Sequence, residues 1–256
     1  MAKKQRVGVA RGPDEIRAEI AHALKHRQVI SIVTFGLGES LLEYLNVAIP
    51  FFARELQRAD LAPALEASVR ILVRNALWRN VKQLLFRERV LDPTDPDEHQ
   101  RINELLLDHY QPETLELFKP RFIRQNLPVT IVINYTSMVI FLKVKNNFAL
   151  MPLDERDLRR KLAGSATLEE YFLIQEVQGR NPDPEARDAA ALLEGIGLHA
   201  HQYTVTNEHT TRETIAGLEF PLNANYVPTR ARFERQRREV DMQPDKFRVM
   251  FAGGDE

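Results

Sequence analysis

The stretch LAPALEASVRILVRNALWRNVKQLLFRERV, Leu61–Val90, decides the fold, because it is the longest segment with helical hydrophobic spacing and no interior glycine. Apolar residues at steps of three and four fall on one stripe of a helix. They are Leu65, Val69, Leu72, Val73, Ala76, Val81, Leu84 and Leu85. The spacing predicts a long helix that lays this stripe on the core.

Two asparagines, Asn75 and Asn80, interrupt this helix at positions where a better helix former is expected. Asn75 has two interpretations. It is either a polar residue on the helix flank, satisfied by a neighbouring backbone group, or part of a binding site.

The composition excludes several classes of protein. A chain of 256 residues with 44% hydrophobic content can bury a sizeable core, in one large or two small domains. Its net charge of −1 provides no global field for nucleic acid or membrane, and the lack of cysteine excludes a disulfide framework. No apolar run reaches the roughly 20 residues that span a bilayer, and no apolar segment follows the basic N-terminus. We therefore expect a soluble, cytoplasmic protein without a membrane span.

The order of the predicted elements gives the fold class. Helices are predicted at Pro13–Arg27, Glu39–Leu56, about Pro96–Asp108, Gln111–Arg124, Leu153–Ala163 and Glu185–Ile196, the last ending at Gly197. Strands are predicted at Val29–Phe35, Val129–Tyr135, Met138–Lys145, His201–Thr206 and Thr211–Phe220. This order predicts an α+β two-layer sandwich, with a mixed β-sheet covered on one face by helices. A helical N-terminal part and a polar C-terminal tail complete it.

The seven histidines are expected to be exposed side chains rather than metal ligands or phosphoacceptors: His22, His26, His99, His109, His199, His201 and His209. His22 and His26 are four residues apart, but no third ligand accompanies them. Zinc at the last pair of strands would need one more ligand, such as Glu208.

Two further segments have alternative interpretations. FGLGES, at 35–40, could present backbone N–H groups to a phosphate, but it lacks a third glycine and a Lys-Ser/Thr pair and is expected to be a turn. TRARFERQRREV, at Thr229–Val240, could bind RNA, anionic lipid or an acidic partner. Because Glu234 and Glu239 dilute its charge, a solvated helix or arm is expected, and nucleic acid is not.

Several strings resemble the GHKL ATPase domains of histidine kinases, and especially the stand-alone histidine-kinase-like proteins of spirochaetes. RNALWRNVKQLLFRERVLDPTDPDEHQ, from Arg74, is similar to their N box and its Asp-rich sequel. VIFLKVKNNFALMP, from Val139, is similar to the D-box strand and turn. LLEGIGLHAHQYTVT and TRETIAGLEFPL are similar to the closing helix and strands. The resemblance covers roughly residues 14–222 and implies the Bergerat fold, with ATP and magnesium as the family's cofactors.

This resemblance also suggests three regions. Residues 1–60 form an N-terminal helix–strand–helix region, residues 61–222 the ATPase-like domain, and residues 223–256 a basic tail.

The N box departs from the pattern of an active member. The resemblance places Asn75 at the asparagine that helps to hold magnesium. The family's catalytic Glu, one helical turn earlier, is replaced by Ile71, which has no lone pair and cannot act as a base. Trp78 stands where the family often has lysine.

The purine and phosphate elements depart as well. Asn146 stands for the D-box Asp that accepts a hydrogen bond from adenine, and Phe148 and Leu150 stand for the following glycines. The amide oxygen of Asn146 could still accept that bond, but bulky residues oppose a close approach of ligand to backbone. Asn181–Glu185, NPDPE, replaces the Gly-x-Gly phosphate loop with two prolines and two acids.

The resemblance therefore implies a degenerate nucleotide and magnesium pocket formed by Asn75, Asn80 and Asn146. The first hypothesis is a signalling or regulatory protein that has lost phosphotransfer, a pseudokinase or pseudo-ATPase that binds a protein partner. The alternative is an active ATP-dependent histidine or serine kinase, or an ATPase, with Asn75 and Asn80 on magnesium and Glu66 or Glu88 as base. A third hypothesis is an α+β domain of unassigned role.

Overall fold

The computed structural model describes residues 5–6, 12–108, 112–156, 202–208 and 212–229, together with Arg232 and Arg235. The helices are α1 (Pro13–Lys25), α2 (Glu39–Glu55), α3 (Ala62–Arg89), α4 (Pro96–Asp108) and α5 (Pro112–Arg124). The strands are β1 (Gln5–Arg6), β2 (Ile30–Thr34), β3 (Val129–Tyr135), β4 (Val139–Asn146), β5 (Gln202–Glu208) and β6 (Glu213–Pro221). A 3₁₀ turn at Ala59–Leu61 leads into α3, and residues 152–156 are helical.

The helices and strands predicted within these residues are confirmed, with ends that shift by at most two residues. Backbone geometry explains two of the shifts. Arg27 has φ 50° and Val90 has φ 54°, in the left-handed region that a right-handed helix cannot contain. Helix α1 therefore stops before Arg27, and α3 stops at Arg89. The predictions for residues 157–200, including the helix to Ile196 and the Asn181–Glu185 segment, lie outside the described residues.

The six strands form one mixed sheet in the order β1-β2-β3-β4-β6-β5. Only the β1–β2 pair is parallel among these strands; the remaining neighbours are antiparallel. The register aligns Ile32, Ile131, Val144 and Ala216 in one row across four strands. All four side chains are buried, so this row lies on the face of the sheet that packs against the helices.

Helix α3 lies against β3 and β4 and contacts α2, α4 and α5. The expected stripe is buried, except that Leu85 is only partly covered. Burial extends beyond the stripe, however, to five polar or charged residues: Ser68, Asn75, Arg79, Asn80 and Lys82. The structure is thus the expected α+β two-layer sandwich, with α3 as a central, nearly enclosed helix.

The opposite face of the sheet is more open. Along β3, buried Val129, Ile131 and Ile133 alternate with the less buried Thr130, Val132 and Asn134. This alternation is typical of a strand with one face on the core.

The chain folds back after β6 onto the more open face of the sheet. Glu219 is buried, and its Oε2 accepts hydrogen bonds from the Tyr226 hydroxyl at 2.5 Å and from the Thr229 backbone N–H at 3.1 Å. The Arg232 guanidinium lies 5.8 Å from the centre of the Tyr226 ring. This arrangement fixes the start of the arginine-rich segment against β6.

Residues on both sides of position 60 share one hydrophobic core, which includes Ile16, Leu45, Leu72 and Leu142. The division at residue 60 stays a prediction. In the part of the chain that the structure describes, no helix combines the length and the apolar content needed to cross a bilayer.

Candidate functional site

Asn80 and Asn146, two of the three predicted pocket residues, contact each other directly. The Asn146 side-chain amide donates to Asn80 Oδ1 at 2.7 Å and to the backbone carbonyl of Ala76 at 2.8 Å. Asn80 in turn donates from Nδ2 to the Leu127 carbonyl at 2.7 Å. Since a carbonyl only accepts, the Ala76 and Leu127 contacts fix the orientation of both amides. The pair joins α3 to the end of β4 and to the segment after α5.

The amide oxygens of Asn75 and Asn146 are buried without a hydrogen-bond partner among the described residues. Asn75 is 4% exposed and Asn146 is 1% exposed. The interpretation of Asn75 as a polar residue on the helix flank is therefore wrong: it lies inside the fold. A buried acceptor without a partner costs about 1–3 kcal/mol. These two oxygens are the unsatisfied polar atoms of the predicted pocket.

Apolar side chains fill the turn that follows β4, where the resemblance requires glycines. Phe148 and Leu150 are each 9% exposed, and Phe148 belongs to the main core cluster with Trp78. The Phe148 carbonyl accepts a hydrogen bond at 2.9 Å from Thr214 Oγ1. Thr214 lies on β6 and is the cross-strand partner of Asn146 on β4. The residues at the purine position thus pack on the protein itself.

The two acids proposed as substitute bases are already in ion pairs. Glu66 Oε1 accepts from Arg70 Nη2 at 2.7 Å, and both Glu88 oxygens accept from the Arg121 guanidinium. Ile71 holds the position of the missing base. Both carboxylates are thus engaged by arginines, and neither lies at the position that Ile71 occupies.

The glycine segment before α2 is a turn that packs on an acid. Thr34 Oγ1 accepts from the Gly36 N–H at 3.2 Å and donates to the Gly36 carbonyl at 2.6 Å. The Glu116 carboxylate lies against this turn, and a Cβ added to Gly36 would be 2.6 Å from Glu116 Oε1. A carboxylate near the N-terminus of α2 interacts favourably with the helix dipole. Its negative charge would repel a phosphate at the same place.

Sequence reasoning missed a second polar group, the Asp154 cluster, which consists of Lys82, His99, Asn103 and Asp154. Lys82 Nζ donates to Asn103 Oδ1 at 2.7 Å and to Asp154 Oδ1 at 2.5 Å. His99 Nε2 lies 3.1 Å from the same Asp154 oxygen, although its N–H direction is off the line to that oxygen. His99 Nδ1 lies 3.3 Å from Asn103 Nδ2. The cluster joins α3 and α4 to the helical residues 152–156.

His99 is therefore not the exposed loop histidine that the sequence suggested. It lies on α4, is 4% exposed and has the Phe86 ring 6.0 Å away. Burial raises the pKa of Asp154, but the nearby His99 and Lys82 side chains outweigh burial and lower it. The imidazole Nε2 lies near Asp154, and Nδ1 lies near Asn103.

Within the described residues, no group of three or more His, Asp or Glu side chains could hold a metal ion. His22 and His26 are exposed, and their rings lie in contact with centres 4.3 Å apart and planes inclined at 50°. His109, His199, His201 and His209 lie outside the described residues.

The chain was compared with known proteins in three ways. No protein-family model, no curated protein and no solved structure matches it. The resemblance to GHKL domains therefore rests on the residues of this chain alone.

Proposed function

We propose that this protein is a non-catalytic regulatory module with a GHKL-like architecture, which acts by binding a protein partner in a signalling pathway. The observation that carries the proposal is that the side-chain amide of Asn146 is bonded within the protein itself. Both N–H groups of its amide are bonded inside the protein, to Ala76 and Asn80. The turn beyond it is packed with Phe148 and Leu150. The place that corresponds to the purine site is part of the hydrophobic core.

Two further features support the loss of phosphotransfer. The base position is Ile71, and the nearest acids on α3 are paired with arginines. The Asn181–Glu185 segment has two prolines without N–H donors and two acids where phosphate should bind. Base, purine turn and phosphate loop are independent requirements, so their joint loss favours a binding role over an enzyme with one altered residue.

One observation favours the alternative, an ATP-binding kinase or ATPase of the same type. The Oδ1 atoms of Asn75 and Asn146 are buried acceptors without partners. A ligand that donated hydrogen bonds to them would recover part of the cost of leaving them unpaired. For this to happen, Phe148 would have to leave the core to admit the ligand.

Calorimetric titration with ADP and ATP, each with magnesium, distinguishes the two functions. We expect no binding up to millimolar nucleotide. We also expect no change in the fluorescence of Trp78, the only tryptophan of the chain, which is buried on α3 between Asn75 and Asn80. The Asn75→Ala variant should behave as the wild type does.

An Asn134→Ala variant is the matched control, because Asn134 is exposed on β3, away from the pocket residues. Magnesium-dependent ATP turnover that Asn75→Ala abolishes and Asn134→Ala preserves would overturn the proposal in favour of the alternative.

A further inference from the structure

The two edges of the sheet differ in how they are protected from another strand. At one edge, β1 is a two-residue strand, Gln5–Arg6, that includes an arginine. Short length and positive charge are two means by which proteins keep a sheet edge from pairing with another chain. At the other edge, β5 extends over seven residues, QYTVTNE, with no proline, glycine, lysine or arginine. In the sheet that the structure describes, β5 is therefore the edge without such protection.

The backbone of β5 can accept a further strand on its outer side. Its residues align one to one with β6, from Gln202 opposite Glu219 to Glu208 opposite Glu213, so no bulge interrupts the ladder. In an antiparallel ladder, only every second residue directs its N–H and C=O groups to a given neighbour. Among the described strands, β5 has β6 as its one neighbour. The remaining alternate residues of β5 therefore direct these groups away from β6, where an added strand can bond to them.

We propose that β5 pairs with β5 of a second copy of the chain, in antiparallel orientation about a twofold axis at Val205. The two six-stranded sheets then form one continuous sheet. Twofold dimers are the commonest homo-oligomers, and their interface has to be complementary to itself. The inference does not depend on the proposed function, because it rests on the sheet edge and not on the pocket residues.

The sequence of β5 meets this requirement of self-complementarity. Val205 is the central residue of the seven, so it pairs with its own copy, and each other residue pairs with the one equally far on the opposite side. Threonine is thus opposite threonine, which is a favourable cross-strand pair. The one charged residue of β5, a glutamate, is opposite a glutamine, whose amide can donate to it. The pairs between the two copies are Gln202 with Glu208, Tyr203 with Asn207 and Thr204 with Thr206.

Other alignments of two β5 strands are less favourable. Shifting the antiparallel register by two residues would lose two of the seven pairs. A parallel alignment in register would bring Glu208 beside Glu208 of the second copy, and like charges on neighbouring strands repel each other. In the central register, paired residues have the same parity along the strand. The helices of both copies therefore lie on the same face of the joined sheet.

Sedimentation equilibrium of the full chain over a dilution series tests for the dimer. The edge of one strand buries less area than a standard protein interface, so we expect a weak dimer that dissociates on dilution through the micromolar range. A protein that stays monomeric up to millimolar concentration would overturn the proposal.

Two double variants test the pairing of position 204 with position 206. Thr204→Lys/Thr206→Lys would place lysine opposite lysine twice, and should weaken the dimer roughly tenfold or more. Thr204→Lys/Thr206→Glu is the matched control, because it places lysine opposite glutamate at the same positions and should keep the dimer. Both positions lie in the register rows of Lys143 and Lys145, on the more open face of the sheet, which spares the buried row. If the two variants dimerise equally, or if neither does, the proposed pairing is wrong.

Disulfide crosslinking tests the register without added charge. The chain has no cysteine, so single-cysteine variants crosslink only at the introduced thiols. Position 204 of one copy faces position 206 of the other, within reach of a disulfide, whereas the same position in the two copies lies on the diagonal, roughly 7–8 Å apart. A mixture of Thr204→Cys and Thr206→Cys chains should therefore form linked dimers on mild oxidation, and each variant alone should form few. No linked dimer in the mixture, or as much in each variant alone, would overturn the proposal.

Discussion

Asn146 connects a strand to a helix through a single amide group. Both partners of its Nδ2 are oxygen acceptors, the Ala76 carbonyl and Asn80 Oδ1. A carboxylate in this position would face two acceptors and no donor. The asparagine therefore fits its surroundings in this chain, and restoring the Asp of the GHKL pattern would not by itself restore a site.

Replacing Asn146 by Asp should lower the free energy of unfolding by about 3 kcal/mol or more, because the variant buries a charge without partners. Urea denaturation measures the change. Asn147→Asp is the matched control, since Asn147 is exposed and donates from Nδ2 to the Asn126 carbonyl at 2.8 Å. Equal stability of the two variants would contradict this account of Asn146.

Individual residues also show how much of the candidate site could be predicted from the sequence. Asn80 and Asn146 were selected by the resemblance, and they meet in the structure. Their bond directions and the burial of Asn75 could not be predicted, because they depend on Ala76 and Leu127 carbonyls brought close by tertiary packing. The partners of His99 were missed for the same reason: Lys82 and Asp154 are far from it in sequence, and no local pattern signals their contact.

At the scale of elements, the turn before α2 packs against Glu116 of α5, because Gly36 has no Cβ. A Cβ on Gly36 would lie 2.6 Å from Glu116 Oε1 of α5. We expect Gly36→Ala to destabilise the protein by about 1 kcal/mol, since the end of a flexible side chain has to move. In a Glu116→Ala background the same substitution should have little effect.

A double-mutant cycle by thermal or urea unfolding measures this coupling. Gly12→Ala, where no atom lies within 4 Å of the added Cβ, is the control for the glycine substitution. If the effects of Gly36→Ala and Glu116→Ala simply add, the carboxylate does not restrict the turn.

The junction between α3, α4 and residues 152–156 makes stability depend on pH. The pKa of Asp154 is lowered on folding, so its ionised form stabilises the fold above the ordinary carboxyl range, and this contribution is lost as the pH falls through the folded pKa. Asp154→Asn should therefore be less stable than wild type at pH 7, with a difference that shrinks below about pH 4. Unfolding free energies across this range provide the measurement. Asp97→Asn, at an exposed acid, should show no such convergence.

At the scale of the whole molecule, the α+β two-layer architecture followed from the hydrophobic periods alone. The long helix, the β3–β4 hairpin and the final strand pair each carry a clear pattern in the sequence. Strand β1 was missed, because Gln5–Arg6 is only two residues long and has no apolar alternation. The order of strands in the sheet, in which β2 lies beside β3, is a non-local property that periodicity does not encode.

That order has a consequence for how the chain folds. Strands β3 and β4 are joined by a short turn, but β2 reaches β3 only after a loop of about one hundred residues has closed. Local pairings form with a smaller entropic cost than distant ones. The β3–β4 hairpin with α3 should therefore form the folding nucleus, and β2 should join after the main barrier.

Cross-strand partners allow a matched kinetic test, because Ile32 of β2 and Ile131 of β3 face each other and are both buried. Ile131→Val should slow folding, whereas Ile32→Val should mainly speed unfolding. Stopped-flow chevron plots report both rates. The reverse pattern would mean that the distant strand enters first and that the transition state already contains the long loop.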